Sequence, residues 1–430
     1  MKPKILTTLI IILLCSACMQ ASPTAMTSPE PLNEETIMPS EGKVDYNPDP
    51  QYVPEEAETL AASINQFGFE LFQQMTPGSG NLFVSPYSLY QALTMVYAGA
   101  RGDTANQFEQ TLHLPFPDFE IHRVSNALNL ALSPRNENSD ESFTLEIANA
   151  LWAQRDGHIE QDFLDLLSEN YASGMHTVDF AEAQEAADLI NNWARENTNG
   201  KISEIASPDM FNLNTRLALT NAVYFKGAWQ HPFMEENTTI QDFFSLEGET
   251  IEVDMMAASE DFFALQNDHV QMVELRYANS PIVMDILSPV DGNWEAFSET
   301  LTAGLLDTYI EQLSNHKVYL SLPKFKIETP VMDLIAPLQE LGLVDVFGMN
   351  ADLSGMTGDK SLLISTLAQK AFIDVNEAGT EAAAVTIAVA QMKGMMPQEP
   401  LTIRFDQPFL YLIRDTQTGA ILFIGQLTQP

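Results

Sequence analysis

Along this chain the apolar positions recur first at helical spacing and later at every second residue. Leu60, Ile64, Phe67, Leu71 and Met75 share one helical face, and Pro77-Gly78-Ser79-Gly80 ends that helix. Leu82-Phe83-Val84 leads into Ser85-Pro86, where the serine can cap a second helix and the proline suits its first turn. Leu89, Leu93 and Val96 mark its buried stripe, and Gly99 and Gly102 close it. The period then changes to two: Phe143, Leu145 and Ile147 alternate with Thr144, Glu146 and Ala148, and Leu217 and Leu219 with Ala218 and Thr220. These segments read as strands of a large sheet. Phe409–Ile413 and Ile421–Ile424, joined by Asp415-Thr416-Gln417-Thr418-Gly419, predict a terminal hairpin. With no internal repeat and no proline-rich divider, residues 59–430 predict one α+β domain of about 370 residues.

Ahead of Thr59 the periodicity disappears. Residues 19–58 carry seven prolines among Ser, Thr and Glu, which predicts a solvated tether over 18–58. The first residues differ again: Lys2 and Lys4, the run Ile5–Leu14, then Cys15-Ser16-Ala17-Cys18. That run is shorter than the about 20 residues a permanent span needs, so residues 1–17 read as an export signal. The pattern is similar to a bacterial lipoprotein signal with Cys18 as the lipidated residue, although Cys15 stands where Leu is usual. The expectation is an exported protein, lipid-anchored at the outer face of a bacterial membrane or the cell surface, with cleavage and secretion as the alternative.

A second period-two stretch differs in kind. Thr380, Ala382, Ala384, Thr386, Ala388 and Ala390 are all small, while Glu381, Ala383, Val385, Ile387, Val389 and Gln391 are larger and more varied. In an extended chain the two sets face opposite sides, so the small set suits insertion between existing strands, with Gly379 at the bend. A permanent strand fits the same pattern, and helix fits only 381–384, because Val385, Thr386, Ile387 and Val389 are β-branched. The following residues, 391–400, are polar, Met-rich and Pro-containing around Lys393, the composition of an exposed loop tip open to proteolysis.

Composition narrows the function. The 59 acidic against 20 basic side chains give a net charge of −39, which argues against nucleic acid and favours basic partners. Cys15 and Cys18 are the only cysteines, so processing at Cys18 leaves a domain without disulfides or cysteine-bound metal. The seven histidines are scattered, with no His-Glu-x-x-His, no phosphate-cradling loop and no Gly-x-Ser-x-Gly elbow. Neither an enzyme nor a cofactor is indicated.

The segment Glu377-x-Gly379-Thr380-Glu381-Ala382-Ala383-Ala384 resembles the hinge of inhibitory serpins. Further similarities follow in the family's order: Asn81-x-x-x-Ser85-Pro86-x-Ser88 with Gly99-Ala100-Arg101-Gly102-x-Thr104; Thr198-x-Gly200-Lys201-Ile202; Thr220-Asn221-Ala222-x-Tyr224-Phe225-Lys226-Gly227-x-Trp229. Leu322-Pro323-Lys324-Phe325, Leu341-Gly342, Ala351-Asp352-Leu353-Ser354-Gly355 and Pro408-Phe409 complete the series across the domain.

The resemblance implies three β-sheets, eight or nine helices and an exposed reactive-centre loop at about 377–400. It implies a monomer that traps serine, or cysteine, proteases: the enzyme attacks the loop, the loop inserts into the central sheet, and the acyl-enzyme is distorted before it deacylates. Counting the hinge Glu377 as the first, the seventeenth position is Lys393, which gives Lys393-Gly394 as the reactive bond and a trypsin-like target. Phe405 lies twelve residues beyond Lys393, more than is common in the family, so Met392, Met395 and Met396 stay open as baits for chymotrypsin-, elastase- or subtilisin-like enzymes. Ser85, Ser88 and Asn221 align with the shutter that gates sheet opening, with Gln369 where the family often has His. The alternative implied by non-inhibitory members is a binding or carrier protein.

Overall fold

The computed structural model describes residues 38–40, 42–75, 80–132, 143–171, 175–380 and 399–430. Ten α-helices are found among them: α1 (Pro54–Met75), α2 (Pro86–Tyr97), α3 (Gly102–Thr111), α4 (Asp118–Leu132) and α5 (Gln161–Tyr171), followed by α6 (Ala183–Glu196), α7 (Trp294–Thr300), α8 (Ala303–Gln312), α9 (Ile335–Glu340) and α10 (Ser354–Thr357). The first eight-stranded sheet runs β1 (Met38–Ser40), β4 (Met175–Val178), β3 (Phe143–Gln154), β5 (Leu217–Ala228), β14 (Gly379–Thr380), β13 (Ile364–Asn376) and β11 (Phe325–Glu328), with β12 (Met332–Asp333) also on β13.

A nine-stranded ladder runs β15 (Leu401–Arg404), β10 (Ser314–Pro323), β7 (Thr250–Gln266), β8 (Val270–Arg276), β9 (Ile282–Pro289), β16 (Phe409–Asp415), β17 (Ile421–Leu427) and β2 (Leu82–Val84), with β6 (Thr239–Phe244) on β7. The 17 residues of β7 carry this ladder from the β6, β10 and β15 part into the β8 to β2 part. Counted on either side of β7, the molecule has three sheets and the α+β architecture expected from the alternation of periods.

Helix α1 buries Leu60, Ile64, Phe67 and Leu71, the stripe its spacing demands. It begins before Thr59, because its first turn, Pro54-Glu55-Glu56, carries two carboxylates, with Pro54 and Glu55 exposed, and so leaves no apolar period to read. Ser85 is extended and its Oγ accepts from the Ser88 N–H at 3.2 Å, which caps α2 with Pro86 in the first turn. Every residue of α2 is buried, so this helix runs through the core rather than along its rim. The opposite face of the eight-stranded sheet is paved with small side chains, Ala148, Ala150, Ala218, Ala222 and Ala368, against which α6 packs Ala186, Ala187 and Ile190.

The expected tether over 18–58 is corrected from residue 38 onward. β1 pairs antiparallel with β4 at the sheet edge, Met38 opposite Thr177. The following stretch is fixed by polar contacts: the Lys43 N–H to Asp165 Oδ1 at 2.6 Å, the Tyr46 hydroxyl to Asn126 Oδ1 at 2.7 Å, and Asn126 Nδ2 to the Asn47 carbonyl at 2.9 Å. A segment held by hydrogen bonds needs no apolar repeat, which is why its composition reads as solvated. Residues 1–17, read as an export signal, and Cys18 lie outside the described residues. Among the described residues, no helix is long and apolar enough to cross a membrane.

Candidate functional site: a seam between two parallel strands

Strands β5 and β13 run parallel and pair directly from Leu217 opposite Ile364 to Tyr224 opposite Phe372. Beyond that point they part, and the two-residue β14 lies between them. Thr380 pairs with Gly227 on one side and Val375 on the other, and Gly379 with Ala228 and Asn376, antiparallel to both neighbours. The chain therefore leaves β13, turns over Glu377 and Ala378, and re-enters the sheet beside the strand it has just left. Gly379 makes that turn at φ 153°, a backbone state that side chains with a Cβ rarely adopt.

The end of the seam is built on one tyrosine. Thr380 is fully buried, and its Oγ1 lies 2.7 Å from the Tyr277 hydroxyl. Tyr277 stacks on Trp229 at 4.6 Å and meets Phe225 edge-on at 5.0 Å. A Cβ on Gly227 would stand 2.5 Å from the Tyr277 ring, so the absence of a side chain there lets the tyrosine reach Thr380. Trp229 donates its backbone N–H to the Ala378 carbonyl at 2.9 Å and its indole N–H to the Asn376 carbonyl at 3.0 Å.

Glu377 accepts from the Thr238 hydroxyl at 2.8 Å and pairs with Lys324 Nζ at 3.1 Å. Burial pushes its carboxyl up, but hydrogen bonds from its own backbone, Thr238 and Lys324 outweigh burial and hold it below its ordinary 4.5.

Farther along, one polar row crosses three strands. Asn149 on β3 stands opposite Asn221 on β5, and Asn221 opposite Gln369 on β13. Gln369 Nε2 donates to Asn221 Oδ1 at 2.6 Å and to the Ser85 carbonyl at 3.2 Å, while Gln369 Oε1 accepts from the Ser85 N–H at 3.1 Å. Asn221 Nδ2 donates to Ser88 Oγ and to Asn149 Oδ1. Ser85 Oγ donates to the Leu422 carbonyl at 2.7 Å, tying the row to the second ladder. A strand entering between β5 and β13 would have to break the Asn221–Gln369 bond, whose partners are buried.

Of the residues singled out from the sequence, Glu377, Gly379 and Thr380 meet at the open end of the seam, and Ser85, Ser88, Asn221 and Gln369 meet in the polar row across it. Glu381, Ala382, Ala383, Ala384, Met392, Lys393, Gly394, Met395 and Met396 lie outside the described residues. Sequence reasoning missed Asn149 and Tyr277. Asn149 had a signal, a polar residue in the apolar alternation Leu145, Ile147, Leu151; Tyr277, just beyond a strand end, had none. Among the described residues, no group of three or more His, Cys, Asp or Glu side chains is placed to hold a metal ion.

Comparison with known proteins bears on this geometry. The family model described as "Serpin (serine protease inhibitor)" matches residues 62–430. The leukocyte elastase inhibitor of Bos taurus is 39% identical over 385 residues, covering 87% of this chain and 100% of that protein. An uncharacterized serpin-like protein of Thermococcus kodakarensis is 36% identical over 371 residues, 86% of this chain and 85% of its own. Among solved structures, native protease nexin-1 with heparin superposes with a TM-score of 0.77 at 28% identity, over 87% of this chain and 100% of that one.

Proposed function

This chain belongs to the serpin family of serine protease inhibitors, and from that premise we propose that it is a suicide substrate that traps its target by inserting the segment after Thr380 into the β5–β13 seam. The observation that carries the reading is β14: the first two residues of the segment lie between the two strands, antiparallel to both. Continued in extended form, Ala382, Ala384, Thr386, Ala388 and Ala390 take the same face as Thr380, toward the packed side occupied by Tyr277. The small side chains of that set fit a crowded interior. Insertion replaces one parallel pairing with two antiparallel ones, and parallel pairing is the less stable per residue.

In the proposed reaction the protease serine Oγ attacks the carbonyl of the bait residue. The peptide bond to the next residue breaks, its nitrogen leaves as a new amino terminus, and the ester stays on the protease. Insertion then competes with hydrolysis of that ester by water. Lys393-Gly394 is the proposed bond and suits the acidic pocket of a trypsin-like enzyme; Met392, Met395 or Met396 in its place suits chymotrypsin-, elastase- or subtilisin-like ones. The naming of the Bos taurus relative for leukocyte elastase supports a serine protease target.

The test is a gel. Incubation with trypsin is expected to give a complex that survives detergent and boiling, with mass spectrometry of the released peptide placing the cut at Lys393-Gly394. Cleavage without such a complex across trypsin-, chymotrypsin-, elastase- and subtilisin-type enzymes would overturn trapping and favour a binding or carrier role. Thr380→Arg is expected to abolish the complex and leave cleavage intact. We propose also that Cys18 carries the lipid anchor; a mature N-terminal mass without an acyl modification would overturn it.

A further inference from the structure

Strand β6 is an edge strand, paired only with β7 among the described strands, and its outward residues are unusual for one. Ile240 is 69% exposed and Phe244 50% exposed. Between them Asp242 stands directly opposite Glu252 of β7, and Ile240 directly opposite Asp254, all on one exposed face. Like charges directly across a pair destabilise it, and none of the ion pairs among the described residues supplies a cation to Asp242, Glu252 or Asp254. A single charge is enough to guard an edge against aggregation. Two facing carboxylates and a third beside them, next to two bare apolar side chains, work against the hairpin that carries them.

The hairpin also has a particular position. Just before β6, the Thr238 hydroxyl donates to Glu377, where the segment leading to β14 begins. At the far end of β6, the Phe244 N–H donates to the Asp406 carbonyl at 2.8 Å, two residues beyond β15, where the chain returns after residues 381–398. Both roots of the proposed bait segment are therefore bonded to this one hairpin. Glu235 and Glu236, exposed just ahead of β6, extend the same charge. The neighbouring cation Arg404 is committed to Asp406 and to Gln241 Oε1.

We infer that the outward face of the β6–β7 hairpin is a docking surface for the attacking protease, taking enzymes that carry Lys and Arg beside their active-site cleft. Asp242, Glu252 and Asp254 attract that rim and Ile240 and Phe244 contact it, which speeds encounter before the bait is cut. The inference rests on the protease-trapping reading and adds to it a selection among proteases with the same pocket specificity.

The test compares the full chain with an Asp242→Asn, Glu252→Gln double variant and, separately, Ile240→Ala. The proteases are a cationic and an anionic trypsin. Removing facing like charges does not threaten folding, so loss of structure does not confuse the result. The double variant is expected to associate with cationic trypsin about 10-fold more slowly at low salt. That deficit should shrink toward none at about 0.5 M salt, and both the anionic enzyme and the stoichiometry of inhibition should be unaffected. An unchanged rate, within twofold at low salt, overturns the docking surface while the trapped complex still stands. If the parent traps neither enzyme, the trypsin-like target fails by itself, and trapping rests on the chymotrypsin-, elastase- and subtilisin-type enzymes. Equilibrium binding to cationic trypsin with its catalytic serine replaced by alanine then decides the surface: weaker binding by the double variant supports it, and equal binding overturns it.

Discussion

Gln369 and Glu377 secure the same seam by different physics, so their substitutions have different signatures. Gln369 satisfies the Ser85 N–H, the Ser85 carbonyl and Asn221 Oδ1 in a site closed to water. Gln369→Leu leaves the Ser85 N–H and Asn221 Oδ1 unpaired, while the Ser85 carbonyl keeps the Leu89 N–H, and each unsatisfied buried group costs about 1–3 kcal/mol; urea unfolding is expected to show a loss at the lower end of that range or beyond. Unchanged stability would mean that the row does not hold the strands together. Glu377 adds a dependence on pH. Its folded-state pKa is depressed, so its stabilisation is fully present above the ordinary value of 4.5 and is lost as pH falls through the lower folded value. The parent should lose stability between neutral pH and pH 3 more steeply than Glu377→Gln, as measured by urea midpoints across that range. Parallel curves would contradict the assignment. Gln369 itself cannot titrate, so the row contributes no pH dependence of its own.

Among the elements, those defined by burial were legible and those defined by hydrogen bonds were not. The stripe of α1, the Ser85-Pro86 start of α2 and the hairpin of β16 and β17 all follow from the spacing of apolar side chains. The first turn of α1 is polar, β1 is held by backbone pairing, and residues 42–53 bond to α4 and α5 through polar atoms, so none of them leaves an apolar pattern. The alternation of small side chains after Thr380 reads as a strand suited to a crowded slot. It does not say which strands border the seam that Thr380 enters, because the β5–β13 pairing joins residues more than a hundred positions apart. Tyr277 arrives at Thr380 for the same reason, across a sequence distance that no local period encodes. Deleting residues 1–49 removes β1 and the contacts to Asp165, Asn126 and Glu169, and it bares the β4 edge. At about 1 kcal/mol per lost hydrogen bond, the truncated chain is expected to be several kcal/mol less stable in urea; equal stability would show that the strap only rests on the domain.

For the molecule as a whole, the proposed mechanism requires the described arrangement to be less stable than the one with the seam filled. Sequence patterns cannot display that relation, because one sequence encodes both states and only the difference between them matters. If the proposal holds, cleavage within residues 392–396 frees the segment to enter, and the cut protein should melt well above the intact one in calorimetry. A melting temperature unchanged or lowered by the cut would remove the driving force from the proposal. The seam has one more consequence. On the proposed mechanism it accepts an antiparallel strand with small side chains on alternate positions, and neither of those properties depends on which molecule the strand belongs to. A second copy of the chain offers an identical segment, so concentration decides between filling from within and filling from a neighbour. Warm, concentrated protein is therefore expected to grow linear chains visible by size-exclusion chromatography, and an added peptide of sequence 380–390 should occupy the seam first and stop their growth.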